Sequence, residues 1–324
     1  MKKTQLYPLQ FVPILKEKVW GGEKLTHLLH KNGTNNTGES WELSGVQDNV
    51  SKVRSGSLKG KSLDDLIELY KAELVGESVY EKYGHKFPLL FKFIDARHDL
   101  SVQLHPNDSI AQQRHQSYGK TEMWYVLQAD EKARLILGFN KDLDKESYAK
   151  VLESGKITAV LNSERVVADD AFFIPPGIVH AIGAGVLLAE IQQTSDITYR
   201  IYDWDRPDID GSLRELHTEA ALDAIDFTTS EAKISYQDTL NKRVLLKDCP
   251  YFVTHKLKLD TDFKVENFHN ESFKTYMCTE GAAIFETRDC EVSLERGQTL
   301  LMPASLNAYV IKAKNTTLLE IYIP

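Results

Sequence analysis

One segment in the first half of the chain alternates polar and apolar side chains in a way that could build a reactive site. Ser101, Gln103 and His105 are spaced two residues apart, and a strand would point all three side chains to one face. Lys120 and Glu122 repeat this spacing just before an apolar run. Burying an amide, an imidazole, an ammonium and a carboxylate together costs free energy unless partners compensate them. A divalent metal and an anionic substrate would be such partners.

Four side chains offer the nitrogen and oxygen atoms that divalent metals bind: Gln103, His105, Glu122 and His180. Pro106 predicts that a strand ends at His105, and a rigid Pro-Pro-Gly turn comes shortly before His180. Two imidazoles, a carboxylate and an amide suit zinc with an open coordination position. The same two-histidine, one-carboxylate set also suits non-haem iron(II), so the residue types leave the metal open.

Charged residues inside apolar or alternating runs are candidates for binding an anion or moving a proton. Lys92 interrupts the run PLLFKFI, so it lies either at an exposed sheet edge or against a polar cavity. Asp196, Thr198 and Arg200 alternate in SDITYRIY, and a guanidinium suits phosphate or an enediolate. Glu190 lies in the apolar run LLAEIQQ. For each of these residues alone, a salt bridge or a solvated edge is the commoner role.

Composition and charge exclude several classes of protein. The 324 residues are 42% hydrophobic, with a formal net charge of −8, so no overall basic field attracts nucleic acid or an anionic membrane. Three cysteines without a CxxC pair argue against a disulfide framework or a thiolate zinc site. No signal-peptide core and no long apolar run are present. We therefore expect a cytoplasmic protein with no membrane or nucleic-acid partner.

Short runs rich in β-branched and aromatic residues, separated by Gly, Pro and Asn, predict a mainly β protein of sandwich or barrel type. Helices are predicted at 62–83, broken near Gly76, at 141–154, ending before Gly155, and at 213–225.

A polar stretch at 230–238 separates a portion with strands and helices from a final region of strands alone. We therefore predict two domains, 1–235 and 236–324. The strings AFFIPPGIVHAI (171–182) and TLLMPASLNAYVI (299–311) share a strand, proline turn, strand pattern, which is a weak signal of repetition. Only the first string contains a histidine, so the second unit is predicted to lack a metal.

Seven blocks of sequence then fall in one order along the chain: VWGG (19–22), GESWELS (38–44), PLLFK (88–92), LSVQLHP (100–106), GKTEMWYVL (119–127), FFIPPGIVHAIGAG (172–185) and QQTSDITYRIYDWDR (192–206). In these blocks the chain resembles the type I mannose-6-phosphate isomerases (phosphomannose isomerases), in particular their short bacterial form. The similarity extends over essentially the whole chain and is weaker toward its C-terminus.

The resemblance implies a cupin, jelly-roll type of fold with two β-units and added helices, and one zinc ion per subunit. It implies interconversion of D-mannose 6-phosphate and D-fructose 6-phosphate through a cis-enediol(ate). The implied zinc ligands are Gln103, His105, Glu122 and His180. The residues that we then predict to be catalytic are Arg200, Lys120 and Glu190. Those predicted to bind substrate are Lys92, Ser101 and Asp196.

Several alternatives stay open at this point. The general base could be Glu190, Asp196, Lys120 or a zinc-bound hydroxide. A cupin oxygenase with iron(II) would explain the ligand set, but not the three basic residues Lys92, Lys120 and Arg200 together. A non-catalytic cupin would bind a sugar phosphate without converting it. The sequence does not determine the oligomeric state.

Overall fold

Antiparallel strands make up most of the structure. The computed structural model describes residues 4–266 and 271–324. Strands account for 39% of the residues and helices for 15%, which confirms the predicted mainly β fold. The described strands form four sheets. No helix in this part of the chain is long and apolar enough to cross a membrane.

The first two sheets use the strands that precede residue 203. These strands are β1 Ile14–Gly22, β2 Thr37–Leu43, β3 Leu89–Ala96, β4 Val102–Leu104, β5 Glu122–Ala129, β6 Arg134–Phe139, β7 Leu161–Arg165, β8 Ala171–Ile174, β9 His180–Ile182, β10 Val186–Gln193 and β11 Tyr199–Tyr202. The larger sheet has the order β1-β2-β3-β10-β5-β8, and the smaller one has the order β11-β4-β9-β6-β7. Ile94 and Val126 from the larger sheet share an apolar cluster with Leu135 and Ile182 from the smaller sheet. The two sheets therefore form a sandwich.

The other two sheets use the strands that follow residue 242. These strands are β12 Arg243–Asp248, β13 Val253–Leu259, β14 Phe263–Glu266, β15 Lys274–Glu280, β16 Ala282–Glu286, β17 Glu291–Glu295, β18 Thr299–Met302, β19 Ala308–Ala313 and β20 Thr316–Tyr322. Their orders are β12-β13-β20-β15-β18 and β14-β19-β16-β17. Leu318 and Tyr276 share an apolar cluster with Phe285 and Ile311 of the opposite sheet. This is a second sandwich.

The second sandwich repeats the topology of the first. The order β3-β10-β5-β8 recurs as β13-β20-β15-β18, and β4-β9-β6-β7 recurs as β14-β19-β16-β17. The two similar strings at 171–182 and 299–311 thus fall on the corresponding pairs β8 with β9 and β18 with β19. The proposed division of the chain at 235/236 stays a prediction.

The helices lie mostly between the strands of the first sandwich: α1 Lys24–His27, α2 Leu63–Tyr70, α3 Ala72–Val75, α4 Glu77–Tyr83, α5 Asp108–His115, α6 Lys145–Glu153 and α7 Thr218–Leu222, with a 3-10 turn at Ile157–Val160. The helix predicted at 62–83 is three helices, because Lys71 (φ 51°) and Gly76 (φ 98°) leave the helical region. Ser62 caps α2 through the Asp65 N–H. The helix predicted at 213–225 is shorter than expected and spans only α7.

Helix α5 was not predicted from the sequence. Asn107 caps it by accepting a hydrogen bond from the Ile110 N–H, directly after Pro106. Ala111 is its buried residue, so the segment lacks the apolar periodicity by which an amphipathic helix is identified. The capping residue Asn107 was the sequence feature that could have predicted where this helix begins.

A buried ionic cluster in the second sandwich occupies a place related to the first by the repeat. Glu320 on β20 pairs with Tyr276 on β15, as Glu190 on β10 pairs with Trp124 on β5. Arg243 donates two hydrogen bonds to the fully buried Glu320 carboxylate, at 2.7 and 3.0 Å. Burial alone would raise the pKa of Glu320, but the Arg243 and Lys274 charges and these hydrogen bonds hold that pKa below 4.5.

Glu320→Ala is expected to lower the free energy of unfolding by about 2–3 kcal/mol without changing the kinetic constants of the intact protein. Removing the Glu320 carboxylate leaves the Arg243 guanidinium without its partner. The expected decrease in the free energy of unfolding is smaller than for a fully buried ion pair, because Arg243 is 33% exposed. Urea denaturation measures it. Because the folded-state pKa of Glu320 is lowered, its contribution is present above about pH 4.5 and disappears as the pH falls through that lowered pKa.

The matched control for this change is Glu291→Ala. Glu291 also pairs with a lysine, Lys312, but its side chain is 55% exposed, so we expect a loss below about 0.5 kcal/mol. Equal losses in the two variants would show that the Glu320 cluster does not stabilise the second sandwich.

Candidate metal centre and adjoining pocket

Three buried side chains converge inside the first sandwich. The ligand atoms of His105, Glu122 and His180 all lie within 4.8 Å of one another. Glu122 is the first residue of β5 in the larger sheet, and His180 is the first residue of β9 in the smaller sheet. His105 directly follows β4. Both sheets therefore contribute to one cluster, as the sequence analysis predicted for these three residues.

Backbone carbonyls fix the orientation of both imidazoles. His105 Nδ1 lies 2.8 Å from the Ile197 carbonyl oxygen, and His180 Nδ1 lies 2.8 Å from that of Ile178. A carbonyl oxygen only accepts hydrogen bonds, so each Nδ1 carries the proton and each Nε2 keeps a free lone pair. The two Nε2 atoms are 3.2 Å apart. This orientation is typical of metal-binding histidines.

The electrostatics of the cluster also suit a cation. Burial lowers the pKa of His180 to about 4 and that of His105 well below 6.5, so both imidazoles are neutral at neutral pH. Burial raises the pKa of Glu122 to about 7, against the opposing charge of Lys120. The Lys120 ammonium lies 2.8 Å from Glu122 Oε2 and 3.0 Å from His105 Nε2, so positive charge is already accommodated beside these atoms. The donor set fits a divalent metal.

Gln103 lies beside this cluster on β4. Its Cα partners are His180 on β9 and Arg200 on β11, so the three residues are neighbours across the smaller sheet. The Gln103 side-chain oxygen accepts a hydrogen bond of 3.2 Å from the Ser101 hydroxyl. The role of Gln103 as a fourth metal ligand stays a prediction.

The cluster opens on a cavity of about 460 Å³, which is large enough for a small phosphorylated sugar. The cavity brings together the side chains that were predicted to be catalytic or to bind substrate: Lys92, Ser101, Lys120, Glu190, Asp196 and Arg200. Gln103 and His180 line the same space.

Lys92 and Glu190 form a buried ion pair on the wall of this cavity. Lys92 Nζ donates to Glu190 Oε1 at 2.8 Å, and Trp124 Nε1 donates to Glu190 Oε2 at 2.9 Å. Burial alone would raise the pKa of Glu190, but the charges of Lys120 and Lys92 outweigh burial and lower that pKa to about 2. Lys92 therefore faces a polar cavity, which was one of its two predicted settings, and Glu190 is ionised.

Other cavity residues were missed by the sequence analysis: Lys16, Lys18, Glu39, Trp41 and Arg214. Lys16 and Lys18 alternate along β1, so the spacing argument used for Ser101 and Gln103 could have found them. Arg214 lies outside the regular strands and carried no such signal.

Comparison with known proteins decides the family. Residues 8–134 match the family model described as phosphomannose isomerase type I, catalytic domain. The mannose-6-phosphate isomerase ManA of Bacillus subtilis is 34% identical over 309 residues, which are 94% of this chain and 96% of that protein. This chain belongs to the type I phosphomannose isomerase family. The mannose-6-phosphate isomerase of Streptococcus mutans is 32% identical, over 93% of this chain and 94% of that protein.

A solved structure places the fold in the same family. The crystal structure of the mannose 6-phosphate isomerase from Bacillus subtilis superposes with a TM-score of 0.88 at 30% identity, covering 98% of this chain and 99% of that one. The resemblance drawn from the seven sequence blocks and the expected cupin fold are therefore confirmed. The expectation of an enzyme of the aldose–ketose isomerase class is confirmed as well.

Proposed function

We propose that the protein is a zinc-dependent mannose-6-phosphate isomerase. It interconverts D-mannose 6-phosphate and D-fructose 6-phosphate by moving hydrogen between carbons 1 and 2 through a cis-enediol(ate). The observation that carries the proposal is a buried two-histidine, one-carboxylate cluster that reaches a cavity through His180, and Lys92, Lys120 and Arg200 line the same cavity. Type I phosphomannose isomerase relatives that align over nearly the whole chain support it.

The residues that would hold the zinc ion are Gln103, His105, Glu122 and His180. The chemistry that such an ion supplies when bound is Lewis-acid polarisation of the substrate oxygens next to the migrating hydrogen. Glu122, fully buried and placed between two neutral imidazoles, provides the negative charge that favours a divalent cation there.

Arg200 stabilises the negative charge that develops on the enediolate oxygens. Its guanidinium lines the cavity and donates to the Glu215 carbonyl through Nη1 at 2.8 Å, while Nε is buried without a hydrogen-bond partner among the described residues. Burial and the Arg214 charge lower the pKa of Arg200, yet an arginine stays protonated at neutral pH. A preorganised, partly buried cation stabilises developing charge more strongly than a cation in water.

Proton transfer needs a base that reaches both carbons. A carboxylate with a pKa near 2 is a weak base, so Glu190 contributes mainly by orienting the Lys92 ammonium at 2.8 Å, with that of Lys120 4.0 Å away. Lys120 and Asp196, which line the same cavity, are the side chains we propose for proton transfer. Ser101 and Lys92 hold sugar oxygens and use that binding energy for alignment.

The proposal extends to the organisation of the chain. Residues 1–235 form the catalytic domain, and 236–324 form a cupin-like domain without a metal. In support, the one His, Cys, Asp and Glu cluster that could hold a metal among the described residues lies in the first part. We also propose a cytoplasmic location for the enzyme, and its acidic net charge of −8 does not favour a nucleic-acid or anionic membrane partner.

The test is a coupled assay that detects fructose 6-phosphate formed from mannose 6-phosphate. We expect turnover in the purified protein, loss of activity by more than about 99% after exhaustive chelation, and recovery on addition of zinc. Running the reaction in D₂O should place deuterium at carbon 1 of fructose 6-phosphate, or at carbon 2 of mannose 6-phosphate after reversal, because the base that takes the carbon-bound proton can exchange it with solvent before returning it to the cis-enediol(ate). Oxygen uptake with iron(II), or sugar phosphate binding without turnover, would refute the proposal.

A further inference from the structure

Two arginines share one end of the cavity. Arg200 and Arg214 both line it, and the Arg214 charge is the second cause, after burial, that lowers the pKa of Arg200. Like charges repel, and the carboxylates of Asp203, Asp208 and Glu215 act against this repulsion at Arg200. In the proposed mechanism Arg200 stabilises the enediolate oxygens, whereas Arg214 has no assigned role.

The chain brings Arg214 to the cavity by a return turn. Pro207 and Leu213 form an isolated antiparallel bridge, so the chain reverses after β11. Arg200 Nη1 then donates to the Glu215 carbonyl, and the His217 N–H donates to the Arg200 carbonyl at 2.7 Å. Residues 214–217 therefore run beside β11, which places the two guanidiniums at the same wall.

Asp203 holds Arg214 in a defined orientation. Arg214 donates to its carboxylate through Nε at 2.7 Å and through Nη2 at 2.5 Å. This bidentate pairing leaves the donors of Nη1 for a ligand. Asp203 also accepts a bond of 3.3 Å from Arg206, so one carboxylate serves two arginines and does not fully neutralise either.

Three of the four lysines that line the cavity have a carboxylate partner. Lys18 lies 3.2 Å from Glu39, Lys92 lies 2.8 Å from Glu190, and Lys120 lies 2.8 Å from Glu122. The fourth, Lys16 on β1, donates to the neutral Asn49 side chain. Arg214, by contrast, shares Asp203 with Arg206, and Lys16 is the competing position for an anion because its partner is neutral.

We propose that Arg214 binds the phosphate group of the substrate, with Asp203 as its positioning residue. The inference rests on the proposed function, because it names the part of a sugar phosphate that this end of the cavity recognises. A planar guanidinium that a carboxylate already orients loses little conformational entropy when it binds a phosphate.

The experiment compares Arg214→Gln with Arg206→Gln. The two arginines share Asp203 and have similar side-chain exposure, 15% and 19%, but in the described part of the chain only Arg214 lines the cavity. We expect Arg214→Gln to raise KM for mannose 6-phosphate at least about tenfold, while kcat changes less than about threefold. The inhibition constant of inorganic phosphate should rise by a similar factor, and Arg214→Lys should recover part of the loss. Arg206→Gln should leave all three constants within about threefold.

Three results would overturn the assignment. Unchanged KM and phosphate inhibition in Arg214→Gln would do so, and so would equal losses in Arg206→Gln, since these would indicate general loosening around Asp203. A loss confined to Lys16→Gln would move the phosphate to the β1 wall. Thermal melting checks that each variant is folded, and calorimetric titration of inorganic phosphate into wild type and Arg214→Gln tests the site directly. If the wild type does not convert mannose 6-phosphate, the proposed function fails, and the titration alone decides whether Arg214 binds phosphate.

Discussion

His180→Ala is expected to lose zinc and to lower kcat for mannose 6-phosphate at least about a thousandfold. His180 is one of two buried neutral imidazoles whose Nε2 atoms lie 3.2 Å apart, so its removal breaks the cluster that both sheets build. Zinc per chain after dialysis, measured by mass spectrometry, and the coupled assay give the two readouts. The zinc content and kcat should decrease together.

The control for this variant is His255→Ala. His255 is a partly buried histidine on β13 in the second sandwich, away from the cluster. This variant should keep its zinc and its turnover. Full zinc content and full activity in His180→Ala would contradict the assignment of the ligand.

Arg200→Ala is expected to keep zinc and yet lower kcat by about a hundredfold to a thousandfold, the range for removing one preorganised donor from a developing oxyanion. Arg200 is not part of the ligand cluster, although its Cα partner on β4 is Gln103. Zinc analysis and the coupled assay on the same preparation separate the two effects. Arg200→Lys should retain charge without the planar fork and recover only part of kcat.

An exposed arginine serves as the control for Arg200. Arg114, paired with Asp223 on the surface, should tolerate alanine without kinetic change. If zinc and activity fall in parallel in Arg200→Ala, this arginine supports the metal site and does not stabilise the intermediate.

The sequence predicted much of the site because strand geometry imposes a two-residue period. That period predicted the neighbouring side chains of Ser101, directly before β4, and Gln103 on β4, and Pro106 predicted the strand end that positions His105 in the cluster. The partner of Lys92 could not be predicted, because Glu190 reaches it across the β3–β10 pairing, 98 residues along the chain. Local spacing does not encode such pairings.

The same distinction between local and long-range information decides which features of the fold could be predicted from the sequence. Ser62 and Gly76 predicted where a helical segment begins and breaks, since caps and positive φ angles are local properties. Lys71 also breaks it, at φ 51°, a conformation that its residue type does not predict. Arg214 was missed because a return turn outside the strands carries it to the cavity.

The most direct test of the proposed zinc site is anomalous diffraction at the zinc absorption edge from crystals of the purified protein. We expect one strong peak per chain, about 2.0–2.2 Å from Nε2 of His105, Nε2 of His180 and a carboxylate oxygen of Glu122, with the Gln103 side-chain oxygen as the fourth ligand. A crystal of active enzyme with no peak among these side chains, or with its zinc elsewhere, would contradict it.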